Sequence, residues 1–313
     1  MKLIRQTELG RPDVLRLVDA PAPEPRPTEV LVRVAAAGVN AVDWKTRAKG
    51  GFLGEPPFTV GWDIAGVVEQ LGYGVTRFAV GDRVFGMPRF PGEAAAYAEF
   101  VTARSRQLTR VPDGLDLHEA AAIPLGALTA WQTLVDTANV GPGQRVLIHA
   151  AAGGVGHLAV QIARARGAYV IGTARAEHHD FLRELGVDQS IDYTVVDVGA
   201  SVRDVDVVLD LVGGENGIAS LPTLRDGGLI VNVPSGADLE KLREAAGQRV
   251  RSTGFLVEPD GEGMDAIASL IDEGVLRVKV SQALPLAEAA RAHELGESGQ
   301  IGGGKLVLVA GDR

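Results

Sequence analysis

Cysteine is absent from the 313-residue chain, which excludes disulfides, thiolate metal sites and a thiol nucleophile together. Positive charge is in deficit. With 31 Lys and Arg against 40 Asp and Glu, the formal charge of −9 repels polyanions unless cations gather on one face, so nucleic acid is a poor partner. No apolar run is long enough for a bilayer: the most hydrophobic window, AAAIPLGALTAW at 120–131, falls short of a span, and MKLIRQTELG is too polar for a secretory leader. Low-complexity tracts and short repeats are missing as well. These absences point to a cytoplasmic protein with no membrane partner.

What is present is ordinary globular material, 46% hydrophobic and 23% charged, in a chain long enough for two domains of unequal size. The first third carries short β-branched runs, VLVRVAAAGVN, AGVVEQLG and GDRVFG, punctuated by Gly, Pro and Asp, the pattern of a small antiparallel barrel or sandwich. The proline-rich APAPEPRPTE at 20–29 is an extended surface connection. From about Leu115 helical DLHEAAAIPLGALTAWQTLVDTA leads into strand-like segments RVLIHA, AYVIGTA, QSIDY, DVVLDLVG, GLIVNV and RVRSTGFLV, with helical runs such as AEHHDFLRELG between several of them. Six strands in that order fit two βαβαβ halves of a Rossmann-like, doubly wound parallel sheet, giving an α/β fold. The final KLVLV strand either closes this domain or returns to the first.

The segment RVLIHAAAGGVGHLAVQIARARGAYVIGTAR at 145–175 concentrates the chemistry. Ala151, Gly153 and Gly156 fill the three positions of a G-x-G-x-x-G turn, with alanine at the first; Gly154 and Val155 complete it. The middle glycine lets backbone approach a pyrophosphate, and the last lets the helix lie close on the strand. Val155, Leu158, Ala159 and Ile162 then recur at helical spacing, so the turn sits where free N–H groups and the helix dipole favour an anion. After the second strand, Thr173 and Arg175 stand where a carboxylate would bind a free ribose 2′-hydroxyl, which favours NADPH. Glu177 keeps NADH as the alternative, and a lone arginine is equally a solvated surface charge.

Five stretches in order, AAGVNAVDWKTR, GWDIAGVVEQLGYGVTRFAVGDRVFG, AAAIPLGALTAWQTL, AAAGGVG and VDVVLDLVGG, resemble the zinc-independent quinone oxidoreductase branch of the medium-chain dehydrogenase/reductase superfamily across essentially the whole chain. The resemblance implies a GroES-like, mainly-β catalytic domain over residues 1–120, rejoined by 260–313, and a Rossmann NAD(P)-binding domain over 121–259. It implies that Thr129 lies near the nicotinamide, that Tyr193 lies near the adenosine phosphate, and that Val233 and Phe255 to Val257 line the nicotinamide pocket. Asn40 resembles the family's cleft asparagine, and the family commonly forms homodimers through the cofactor-domain sheet.

Zinc relatives in the superfamily carry Cys and His ligands at places filled here by Asn40 and Trp62, and their structural zinc loop is replaced by MPRFPGEAA. Without thiolates, and with six histidines in no ligand-like spacing beyond the solvent-facing pair His178 and His179, no metal is expected. Hydride delivery to an already conjugated acceptor needs no Lewis acid, so quinones and α,β-unsaturated carbonyls fit. Asn40, Lys45 or water are the candidates for stabilising or protonating the resulting anion, with an exposed surface amine the simpler reading of Lys45. Asp43 and Asp63 are taken as turn acceptors rather than general acids.

Among the aromatics Trp44, Trp62, Phe90, Trp131 and Phe255, Trp62 and Phe255 are the candidates for a flat substrate slot. Asp210 sits where ligands approach a doubly wound sheet, with a turn cap as the simpler role. The leading expectation is an NADPH-dependent quinone or enone reductase. Enoyl-thioester reduction, an RNA-binding or structural protein that does not turn over, and an NADPH-binding sensor are the alternatives.

Overall fold

In the computed structural model, which describes residues 1–234 and 239–311, the chain divides into two units, Met1–Leu128 with Glu258–Arg313, and Thr129–Val257. The first begins with an antiparallel pair, β1 (Lys2–Arg5) and β2 (Arg16–Asp19). The proline-rich stretch that follows has no helix or strand until Glu29. β3 (Glu29–Val39) then runs for eleven residues, nearly all buried, because hydrogen-bonded neighbours lie along it and small residues in its second half admit close packing.

α1 (Ala41–Lys49) leads on to β4 (Asp63–Leu71), β5 (Arg83–Gly86), β6 (Phe100–Arg104) and β7 (Leu108–Arg110). α2 (Leu117–Ala121) is opened by Asp116, whose carboxylate accepts from His118 N–H. The boundary falls after Leu128 rather than after residue 120, because α2 and the start of α3 (Pro124–Trp131) stay with the first unit. Gly38 shows why they must: a Cβ there would lie 2.4 Å from the Ala121 carbonyl and 2.9 Å from Asp63, so only glycine lets β3 meet both.

The second unit alternates strand and helix: β8 (Arg145–Ile148), α4 (Gly156–Ala165), β9 (Tyr169–Ala174), α5 (His179–Glu184), β10 (Gln189–Asp192), α6 (Val198–Ser201), β11 (Val205–Asp210), α7 (Glu215–Ser220), β12 (Leu224–Asn232), α8 (Leu239–Ala246) and β13 (Arg251–Gly254). All pairings are parallel, and the order β10-β9-β8-β11-β12-β13 reverses between β8 and β11. This is the doubly wound order, and ligands bind beyond the carboxyl ends of the strands at such a switch point. Each of the six strand-like segments read from the sequence forms one of these strands.

The chain then returns through α9 (Gly261–Asp272), β14 (Val280–Pro285), α10 (Ala289–Ser298) and β15 (Lys305–Val309). β15 pairs antiparallel with β3 and parallel with β14, so KLVLV completes the first unit, settling the choice its sequence left open. Among the described residues the resulting sheet has seven strands, ordered β14-β15-β3-β4-β5-β7, with β6 also on β3.

Candidate active site

Two neighbouring strand ends and one helix start build the second unit's candidate site. The turn after β8 folds back so tightly that a Cβ on Gly156 would stand 2.2 Å from the Ala150 carbonyl, closer than any real contact. Ala150 itself takes a positive φ of 49°. Gly153 N–H donates to Ala150 O (2.9 Å) and Ala151 N–H to Thr173 O (2.9 Å). Among the described residues, the N–H groups of Gly154, Val155 and Gly156 have no partner in the chain. They are the orphan donors that open α4, and the helix dipole adds positive potential at that spot. The arrangement suits a pyrophosphate.

At the neighbouring end of β9, Thr173 is buried and its hydroxyl is already engaged, with His149 Nδ1 at 3.2 Å and Ala150 N–H at 3.3 Å. It braces the turn instead of facing a phosphate, a correction to its expected cofactor contact. His149, whose other nitrogen lies 2.8 Å from Ser220 Oγ, is held below its ordinary pKa by burial, against the pull of Asp210. Arg175 is exposed, and Tyr193 is half exposed at the next strand end. Between them Asp192 accepts from Thr194 Oγ1 (2.6 Å), Thr194 N–H (2.9 Å) and Ala176 N–H (3.2 Å), bonds that hold its carboxyl below the usual range, the Thr194 hydroxyl most of all. Asp192 thereby fixes the loop that carries Arg175.

Across the switch point, Asp210 is wholly buried and accepts from Val212 N–H, Gly213 N–H, Asn216 Nδ2 and Asn232 Nδ2 at 2.8–3.0 Å. It is a turn cap. Val233 N–H donates to Asp210 O and Phe255 N–H to Asn232 O, placing both side chains just past carboxyl strand ends, half-buried, with Val257 buried beyond them. Thr129 opens this unit and is buried.

In the first unit the geometry gathers residues that sequence spacing scatters. Asn40 follows β3 at the start of α1, Asp63 opens β4 and Lys305 opens β15; all three are buried. Asn40 Nδ2 donates to Asp63 Oδ2 (2.8 Å), Lys305 Nζ donates to Asn40 Oδ1, and Lys305 Nζ lies 3.7 Å from Asp63 Oδ2. Asp63 Oδ1 accepts from Leu125 N–H at the start of α3 (2.8 Å). Burial pushes the Asp63 carboxyl up and the Lys305 amine down, and each charge pulls the other partly back.

A second buried chain adjoins this cluster. Asn40 N–H donates to Asp43 Oδ2 (2.7 Å), which also accepts from Tyr97 OH (2.9 Å); the hydroxyl lies 3.1 Å from His293 Nε2. Arg47, 3.5 Å from His293 Nδ1, pairs with Glu297 (2.6 Å). Burial raises Asp43 to about 7 and lowers His293 to about 3. With Tyr97 donating to Asp43, neutral His293 carries its proton on Nε2. Lys305, Tyr97, Arg47 and His293 were not singled out by the sequence, because nothing in their local spacing shows that distant segments converge on them.

Two sequence candidates of the first unit lie outside this cluster. Lys45 is exposed on α1 and shares no hydrogen bond with the cluster, the placement that its simpler reading as a surface amine expects. Trp62 has no exposed surface; its indole N–H donates to Gly92 O (2.7 Å) and its ring packs edge-on against Phe90, which leaves no face for a substrate.

The alcohol dehydrogenase GroES-like domain family matches residues 26–113 and the zinc-binding dehydrogenase family residues 185–308. The 2-haloacrylate reductase of a Burkholderia species is 35% identical over 91% of this chain and 92% of its own. The structure of the Coxiella burnetii quinone oxidoreductase superposes with a TM-score of 0.93 at 40% identity, covering 99% of both chains. That of the Escherichia coli quinone oxidoreductase complexed with NADPH superposes at 0.89 and 31% identity, covering 99% of this chain and all of that one.

The chain belongs to the quinone oxidoreductase branch of the medium-chain dehydrogenase/reductase superfamily and is a nicotinamide-dependent reductase of that group. Zinc does not fit its residues, despite one family's name. The chain lacks cysteine, the Asn40 amide and the Trp62 indole are engaged with Asp63 and Gly92, and among the described residues no three His, Asp or Glu side chains converge as a metal site.

Proposed function

We propose that this protein uses NADPH to reduce a conjugated acceptor, a quinone or an α,β-unsaturated carbonyl. The observation that carries the reading is the turn at residues 151–156, where three N–H groups without partners open a ten-residue helix, while the neighbouring strand β9 ends at Ala174 and is followed by the exposed Arg175 rather than a carboxylate. A 2-haloacrylate is itself an α,β-unsaturated acid, so the reductase that bears that name supports the enone arm of the reading.

When bound, the reduced nicotinamide supplies the hydride. The residues that would hold the cofactor are Gly154, Val155 and Gly156 through backbone N–H on the pyrophosphate, Arg175 through its guanidinium on the 2′-phosphate, and Tyr193 near the adenosine. Val233, Phe255, Val257 and Thr129 would line the nicotinamide end. Asn40 would donate a hydrogen bond to the oxygen on which negative charge develops as the acceptor is reduced.

Following NADPH and NADH absorbance with quinones, enones and alcohols, with and without a chelator, tests the reading. It predicts chelator-insensitive NADPH oxidation by quinones or enones. Chelator-sensitive alcohol turnover contradicts it.

A further inference from the structure

Asn40 is the one polar side chain proposed above to touch the reacting oxygen, yet an amide presents either a carbonyl or an NH2 and the two ends are nearly isosteric. In water it turns freely. Here it is held at both ends by opposite charges, the Asp63 carboxylate on Nδ2 and the Lys305 ammonium on Oδ1. Turning the amide over would set carbonyl oxygen against carboxylate and NH2 against ammonium, two repulsions in a buried place where charge is poorly screened. The orientation is therefore single. Asp63 is in turn anchored by Leu125 N–H, and Lys305 is the first residue of a strand locked between β3 and β14.

We propose that Lys305 is a positioning residue for the reduction, a role that rests on the reading of Asn40 above. By binding Oδ1, the ammonium fixes the amide so that one Nδ2 hydrogen goes to Asp63 and the other remains the donor offered to the developing oxyanion. It also draws electron density toward Oδ1, leaving the Nδ2 hydrogens more positive and the donor stronger. Lys305 thus acts through Asn40 and touches no substrate. The sequence gives no sign of this, since 264 residues intervene between them.

Lys305→Met removes the ammonium at similar volume but leaves Asp63 as a buried, uncompensated charge, so a second variant, Lys305→Met with Asp63→Asn, restores neutrality. The test compares both with Asn40→Ala and with Asn40→Ala/Asp63→Asn/Lys305→Met by thermal unfolding, NADPH fluorescence titration, and kcat and KM on the acceptor with the highest turnover. We expect the neutral pair to fold and bind NADPH as the parent does, with kcat reduced about tenfold to a hundredfold and the KM for NADPH unchanged. Asn40→Ala should lower kcat about a hundredfold, and adding the neutral pair to it should lower kcat no further.

A neutral pair that keeps kcat within about twofold of the parent overturns the proposal, as do losses that multiply when the Asn40 and Lys305 changes are combined. A parent enzyme that fails to oxidise NADPH with every quinone and enone tried overturns instead the functional reading beneath it, and the two failures are told apart by the parent's own rate.

Discussion

Asp43 and His293 sit one hydroxyl apart, on either side of Tyr97, and their titrations pull stability in opposite directions. Asp43 rises from its ordinary 3.8 to about 7, so the folded chain holds a proton that the unfolded chain has lost, and stability falls as pH climbs through that interval. His293 drops from 6.5 to about 3, so the unfolded chain holds the extra proton, and stability climbs with pH between those values. Each slope is about 1.4 kcal/mol per pH unit, so over the shared window the two cancel. Urea unfolding between pH 4 and 6.5 should expose a rising slope of about that size in Asp43→Asn and a falling one in His293→Gln; equal slopes in both variants contradict the assignment. Also at the scale of single residues, Arg175→Asp should weaken NADPH more than NADH in a fluorescence titration. Equal weakening would show that the guanidinium does not meet the 2′-phosphate.

At the scale of elements, the helix start of α4 is the most demanding junction. Gly156 is closed in by the Ala150 carbonyl and the Ala151 backbone, atoms that cannot swing aside as a side chain can. Gly156→Ala should therefore displace the turn, lower stability by about 1–3 kcal/mol and raise the dissociation constant for NADPH, while Gly153→Ala, whose Cβ would meet one carbonyl at 3.1 Å, should be milder.

This junction was legible in the sequence because strand, turn, helix and next strand are contiguous there, and local patterning specifies local structure. The first unit was legible only in part. Its strands announced themselves by β-branched runs, but Lys305 and His293 reach the neighbourhood of Asn40 through the pairing of β15 with β3 and the packing of α10, contacts between segments far apart in the chain. Thr173 and Trp62 were misplaced for a related reason. Position in a strand says which residues lie near a site, whereas the hydrogen bonds to His149 and Gly92 that turn these side chains inward depend on neighbours from elsewhere in the chain.

At the scale of the whole molecule, the first unit is assembled from both ends of the chain around an insertion that forms the second. β15 lies between β14 and β3, and it brings Leu306, Val307 and Leu308 into the core with Lys305. A chain ending at Val257 should therefore lose the cooperative unfolding transition of the first unit. Retention of that transition in a thermal scan would show that β15 is dispensable to its core.

Function divides along the same line: a nucleotide cradle in the inserted unit, and an oriented amide in the other. Titration of the purified protein with NADPH and NADH by calorimetry bears on this account most directly. Saturable binding of one nucleotide per chain, tighter for NADPH, is the predicted result; no heat with either nucleotide would contradict it.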